Sequence, residues 1–288
     1  MTALFALATS LLWGLADFGG GVLTRRLPAL TVVVVSQAVA AVVLGVVVIA
    51  TGAWSEADGR LWFAVAAGAV GPVVILSFYR ALALGPMGVV APLGSLGVAV
   101  PVSIGLAVGE RPGLLQGAGV AVAVTGIVMA GGPQLRGAPV QRQAVLLTLF
   151  AAFGFGAVMS LIAEASTTVT GLFLSLFVQR IVSVSVGGAA LYVSVLRGAR
   201  ALPEEGGGAV VFAALPALTC VGLTDVAANG SYAIAAQHGP VTVAAVLASL
   251  YPVVTALAAR GILGERLRGV QAAGAGLALL GTVLLATG

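Results

Sequence analysis

Tyr79-Arg80-Ala81-Leu82, then Gly85-Pro86, then an apolar run closing on Gly109-Glu110-Arg111, then Gln116, Gly119 and Gly126 on a second apolar run: this stretch, 79–130, is written into the chain twice. It returns as Tyr232, Gly239-Pro240, Gly264-Glu265-Arg266, Gln271, Gly274 and Gly281. Pro240 stands 154 positions after Pro86 and Glu265 155 after Glu110, so one residue has been inserted between those marks. Earlier echoes fit the same halving: Trp13-Gly14 with Phe153-Gly154, Gln37 with Gln179, and Gly45 with Gly187. A repeat of this length divides the chain into two copies of one module, 1–132 and 143–288.

Composition decides the solvent. Hydrophobic residues are 60% of the 288 and charged residues 8%, and the mean hydropathy is +1.16. A soluble domain needs about 25% charged residues to dress its surface. The apolar runs reach the roughly 18–20 residues that carry a helix across a bilayer, and they lack the dyad alternation of a membrane barrel. The expected fold is therefore an all-α integral membrane protein. The basic residues, all arginine, are scattered through short loops without a run. They read as topology signals and not as a nucleic-acid stripe. Cys220 stands alone and forms no internal disulfide. Met1–Leu23 lacks a basic n-region and exceeds an h-region, so it is read as a helix of the mature chain.

Ten spans are expected, near 2–22, 30–50, 61–82, 87–108, 113–130, 143–163, 171–196, 208–236, 241–262 and 269–286. Five per module is odd, so the second copy enters the membrane upside down, an inverted repeat of the kind from which transporters build alternating access. One set of loops, with both termini, carries Arg60 and Arg111. The other carries Arg25, Arg26, Arg80, Arg136, Arg142, Arg197, Arg200, Arg260, Arg266 and Arg268. Two against ten places the second set in the cytoplasm and both termini outside.

The repeated marks resemble the EamA module of the drug/metabolite transporter superfamily, whose bacterial members include exporters of amino acids and other metabolites. Leu12-Trp13-Gly14 is similar to the family's first-helix Trp-Gly, Trp13–Gly20 to a bacterial variant of it, and Phe153 takes the place of the second Trp. The resemblance implies ten helices around a central cavity lined by spans 1, 3, 4, 6, 8 and 9, with spans 5 and 10 peripheral. It also implies a multi-pass protein of the bacterial cytoplasmic membrane whose partners are the lipid bilayer and a small-molecule substrate.

Ionisable groups inside a bilayer are functional candidates by default. Asp17, one turn beyond Trp13 on the same helix face, is a cation or proton site, or else a carboxylate paired with Arg25 or Arg26. A coupling proton or ion would fit the first role. Arg180, beside Gln179 within span 7, needs a partner, because a bare guanidinium costs about 2.5–3.5 kcal/mol at a helix centre even by the lower estimates. It could hold a substrate carboxylate in its planar fork. Trp13, Tyr79, Tyr232 and Tyr251 offer aromatic faces with a polar edge to an amphipathic solute. Ser77, Ser95, Ser249 and Asn229 offer hydroxyl and amide partners, or hold helices together. Pro86, Pro92 and Pro101, with Pro240 and Pro252, break or bend spans 4 and 9 and mark the moving elements. Glu110 and Glu265 read as turn caps paired with the adjacent arginine. Small-residue pairs such as Gly68/Gly71 and Gly274/Gly281 serve helix contacts within one protomer or between two, so monomer and homodimer both fit.

No nucleotide loop, metal-ligand cluster or phosphate cradle occurs, so no catalytic, cofactor or metal role is assigned. The preferred expectation is a secondary transporter exporting amino acids or related small solutes by alternating access. The alternatives are export of cationic or guanidinium-like compounds through Asp17, and a non-transporting membrane scaffold. A reporter fused after Gly288 tests the orientation: activity confined to the outer side is expected, and activity confined to the cytoplasm overturns the arginine count.

Overall fold

With no water in the hydrocarbon core, each apolar run must satisfy its own backbone, and a helix does this within one segment. The computed structural model describes residues 1–24, 26–84, 97, 99–130, 142–204, 206–263 and 269–287, and among these every regular element is helical. In order they are α1 Thr2–Thr24, α2 Ala29–Thr51, α3 Leu61–Leu84, α4 Ala99–Ala107, α5 Leu114–Ala130, α6 Arg142–Glu164, α7 Val169–Leu196, α8 Gly207–Ala213, α9 Leu215–Gln237, α10 Val241–Ala248, α11 Tyr251–Leu263 and α12 Gly269–Thr287. A 3-10 turn, Ala53–Glu56, follows α2.

This order is that of the ten expected spans. Helices α1, α2, α3, α6 and α7 are each long and apolar enough to cross a membrane. Span 8 is the pair α8 and α9, bent by 54°, with a proline in the first turn of α9. Span 9 is interrupted at Ser249-Leu250, between α10 and α11, and α4 is the second half of span 4. The stops are local. Gly52 ends α2 at φ +67°, returning its N–H to Val48 and Ile49 carbonyls, a left-handed cap that glycine adopts at little cost. Thr168 opens α7 by accepting from the Gly171 N–H at 3.0 Å. Proline is no stop in α3, which runs through Pro72.

Packing follows a two-fold exchange of the modules. Helix α1 lies on α9 as α6 lies on α3; α2 lies on α9 as α7 lies on α3; α11 lies on α1 as α4 lies on α6. Helices α2 with α7, and α5 with α12, pair across the exchange. The α5–α12 pair lies at the periphery, α5 touching α10 and α11 as well.

Small residues set the closest crossings, since helices in lipid gain most from approach of their backbones. A Cβ on Gly68 of α3 would lie 2.5 Å from the Gln179 carbonyl of α7, and one on Gly222 of α9 2.2 Å from the Ser36 carbonyl of α2. Gly222 follows Gly68 by 154 positions and their partner carbonyls, Ser36 and Gln179, lie 143 apart, so the crossing recurs with its partner helix shifted by one residue from the Gln37–Gln179 echo. A second pair corrects a register. A Cβ on Gly14 would meet Val254 at 2.5 Å and the Tyr251 carbonyl at 2.8 Å; one on Gly156 would meet Val100 at 2.7 Å and the Gly97 carbonyl at 2.1 Å. Gly14 therefore corresponds to Gly156, with the 142-residue offset that also relates Gln37 to Gln179. Phe155 takes the place of the second Trp, and Phe153 points outward, 52% exposed.

Gly68→Ala and Gly222→Ala are each expected to lower stability by about 1–3 kcal/mol, the usual cost of overpacking a tight contact. Gly21→Ala and Gly188→Ala, where nothing lies within 4 Å of the added carbon, serve as neutral controls. The fraction of protein remaining monodisperse after heating in detergent measures both.

Candidate functional site

Two helices carry most of the site, and their spacing explains it. On α1, Trp13 and Asp17 are four residues apart; on α9, Asp225, Asn229 and Tyr232 step by four and three. Each set therefore lies along one helix face. The two helices pack together and bring Trp13 to Tyr232, ring centroids 6.1 Å apart. Tyr251, at the start of α11, completes an aromatic trio edge-on to Trp13 at 6.2 Å. Close approach at Gly14 and a hydrogen bond from Thr255 Oγ1 to the Gly14 carbonyl, 3.0 Å, hold α11 there. The Tyr232 side chain is wholly buried, and its hydroxyl has no hydrogen-bond partner among the described residues.

Beyond the rings lies a polar cluster spanning α2, α7 and α9. Arg180 Nη1 pairs with Asp225 Oδ2 at 2.8 Å and also donates to Gln37 Oε1. Gln37 Nε2 donates to Asp225 Oδ2 at 3.4 Å. Asn229 Nδ2 donates to Asp225 Oδ1 at 3.2 Å and to the Asp225 carbonyl at 2.7 Å. Arg180 is 4% exposed and the Asp225 side chain 25%, so the carboxylate is the member of the pair that reaches open space. Arg180 Nε and Nη2 have no hydrogen-bond partner among the described residues.

Asp17 is exposed, yet it does not belong to the outward stripe of α1. Leu4, Leu7, Leu11 and Leu15 form that stripe, and Asp17 lies roughly a third of a turn away from it, on the side of buried Ala6, Ser10 and Gly14. This end of α1 lies against α9, where a Cβ on Gly19 would meet Val221 at 2.8 Å. Asp17 therefore lies on the side of α1 that packs against α9 and α11.

At one end of the bundle the modules are tied by Glu110. Its carboxylate accepts from the Val241 N–H at 2.5 Å and the Thr242 N–H at 3.0 Å, capping the free donors and positive end of α10. Gly105 of α4 has no room for a Cβ beside Glu110 and Thr242. Glu110 thus caps a helix of the opposite module and not its own turn.

The model of the EamA-like transporter family matches residues 1–132 and 142–287. The chain belongs to that family. A solved structure described only as "Crystal structure of protein" is similar to it at 18% identity and a TM-score of 0.71, covering 98% of this chain and 95% of its own. That likeness shows the fold alone. No curated protein matches the chain. Family and fold together make this EamA-like chain a multi-pass membrane protein that transports small molecules.

The candidates named from sequence divide accordingly. Trp13, Asp17, Tyr232 and Tyr251 come together, as do Arg180 and Asn229. Gln179 is buried beside Arg180 with its Oε1 unpartnered. The Ser77 hydroxyl donates to the Val73 carbonyl at 2.8 Å and that of Ser249 to Ala245 at 2.7 Å, both within their own helices. Pro240 precedes α10, and Pro252 is the second residue of α11, just past the interruption of span 9. Pro101 is buried in the first turn of α4. Ser95, Pro86, Pro92, Arg25, Glu265 and the Tyr79 side chain lie outside the described residues. Among the described residues Asp17 forms no ion pair, with Arg26 or otherwise. Asp225 and Gln37 were missed as site residues. Asp225 carried the signal that selected Asp17, an acid within a span, and its spacing to Asn229 and Tyr232 placed it on the same face as both.

Proposed function

We propose that this EamA-like transporter is a secondary carrier exporting small amphipathic organic cations across the bacterial cytoplasmic membrane, with both termini outside. The observation that carries this reading is the pairing of charges. Arg180, the candidate for a substrate carboxylate, already holds Asp225, whereas Asp17, one helical turn from Trp13 of the aromatic trio, has no ion-pair partner among the described residues. A carboxylate beside a Trp face and two Tyr edges suits an ammonium attached to an apolar body, the ring faces adding cation–π attraction of about 0.5–2 kcal/mol. Amino acids are the second reading. Arg180 Nε and Nη2, unpartnered, favour it by offering a carboxylate two donors while Asp17 holds the amine.

The two modules, 1–132 and 143–288, move against each other in this reading. Spans 3–4 and 8–9 alternately close the path around spans 1 and 6. The interruption of span 9 beside Pro252 and the contact of α4 with α10 under Glu110 support it, because breaks between rigid segments absorb the dihedral changes of closure.

In proteoliposomes, hexyltrimethylammonium and cationic dyes are expected to be transported, and Asp17→Asn to slow them at least about tenfold, as loss of a charge partner in a desolvated site does. Flux of labelled amino acids without cation flux overturns the cation reading, and absence of any flux leaves the scaffold class. In a Cys220→Ala background, a cysteine pair joining α4 to α10 is expected to stop transport when oxidised and to release it when reduced. Full flux through the locked protein shows that these helices are not a gate.

A further inference from the structure

We infer that the protein binds an anionic phospholipid by its headgroup, in a cavity at the membrane surface that shares no lining residue with the site described above. The cavity measures about 560 Å³ and is open at its mouth, within the roughly 300–1,000 Å³ of small-ligand pockets. One wall is the turn between α1 and α2, with Thr24, Arg26 and Leu27; the other is the α7–α8 connection, with Arg200, Leu202 and Glu204. The first wall belongs to one module and the second to the other. Thr31 Oγ1 fastens them by donating to the Ala201 carbonyl at 2.5 Å. Because α1, α2 and α7 are each long enough to cross the membrane, the connections at their ends lie at the level of the headgroups.

The lining has the two chemistries of that level. Its base is apolar: Leu27 belongs to the buried cluster of Val32 and Leu218, against which Val210 packs. Leu202 and, further along α8, Phe212 are exposed and offer surface to acyl chains. Its rim is charged, Arg26 and Arg200 against Glu204. In sequence the two connections carry Arg25, Arg26, Arg197 and Arg200 against Glu204 and Glu205, an excess of positive charge. Arg200 pairs with Glu204, and both are exposed, so the pair is of the surface kind whose net worth is small. A phosphate can therefore compete for Arg200. Guanidinium forks hold phosphate oxygens through parallel N–H donors, and basic pockets between spanning helices take anionic headgroups.

The repeat shows that a basic opening is no requirement of such a corner. The α1–α2 turn corresponds to the α6–α7 turn, and the α7–α8 connection to the one between α2 and α3. That second corner, on the opposite membrane face, is tied by its own side chains. Thr168 Oγ1 donates to Glu56 Oε2 at 2.9 Å, and Arg60 Nη1 pairs with Glu164 Oε2 at 3.1 Å. Its charges are Glu56, Asp58 and Glu164 against Arg60, the reverse of the balance at the cavity.

The test titrates the full-length protein in an uncharged detergent with phosphatidylglycerol or phosphatidylethanolamine and reads the first lipid bound by native mass spectrometry. Phosphatidylglycerol is expected to bind at least about fivefold more tightly. Arg26→Gln and Arg200→Gln should each weaken it about fivefold, the worth of one arginine beside an anionic headgroup, and the double substitution at least about tenfold. Glu204→Gln, which frees Arg200, should tighten it. Arg142→Gln removes an exposed arginine outside the cavity and should leave binding unchanged. All of these side chains are exposed, so their replacement does not threaten folding. Unchanged binding by the double variant overturns the inference, and so does an equal loss from Arg142→Gln, the mark of diffuse charge. Phosphatidylethanolamine held as tightly as phosphatidylglycerol overturns the anionic assignment. Inorganic phosphate displacing the lipid at equal concentration overturns the lipid in favour of a free anion. The readout involves no transport, so failure of the cation reading leaves this result standing.

Discussion

A hydrocarbon solvent accepts no hydrogen bonds, and most of this architecture follows from that. Each segment closes its own backbone ladder as a helix, and association between helices must then come from surface fit, because lipid tails solvate leucine as well as another helix does. Fit is greatest where side chains are absent. The crossings at Gly68 and Gly222, and at Gly14 and Gly156, let a backbone carbonyl of one helix sit where a Cβ would otherwise stand. They fix α3 on α7, α9 on α2 and α1 on α11, and so decide which side chains face one another further along. Trp13 meets Tyr251 because Gly14 meets Val254.

Once the glycines define equivalent positions, the two halves can be compared atom class by atom class. Their apolar framework is the same: Val100 answers Val254 and Gly97 answers Tyr251 at the same crossing. Their polar content is not. Asp17, Arg180, Asp225 and Asn229 have Met159, Gln37, Gly71 and Ile75 as counterparts, none of them charged. A fold that stands without these groups in one half does not need them for standing in the other. The internal copy thus separates packing from chemistry within a single chain.

The architecture was legible because its signals are long-range and redundant: apolar runs, two Gly-Glu-Arg turns and two Gly-Pro turns in register. The first-helix register was not, and the reason is plain in the letters. Phe153-Gly154-Phe155-Gly156 offers the aromatic-glycine pair twice, two residues apart, and only packing tells which phenylalanine faces α3 and which faces outward. Arg180 was recognised as needing a partner, but the partner lies 45 positions away on another span, a distance no periodicity connects. Serines proved the least readable. Ser77 and Ser249 sit within spans exactly as a ligand-binding hydroxyl would, yet each spends its proton on the carbonyl four residues back, an option every helical serine has.

The ion pair itself is poor evidence of stabilisation. Desolvating a guanidinium and a carboxylate costs several kcal/mol each, and well-packed apolar replacements are often neutral or better. Here the other half stands without the pair: Gly71 is the counterpart of Asp225, and the Gly68 and Gly222 contacts put Gln37 at the counterpart of Arg180. What Arg180 adds is therefore better sought in what it does to the open side of the cluster. It holds Asp225 through one nitrogen while Gln37 and Asn229 orient the carboxylate, so the pair joins α2, α7 and α9 and its less buried member, Asp225, is the one held in place.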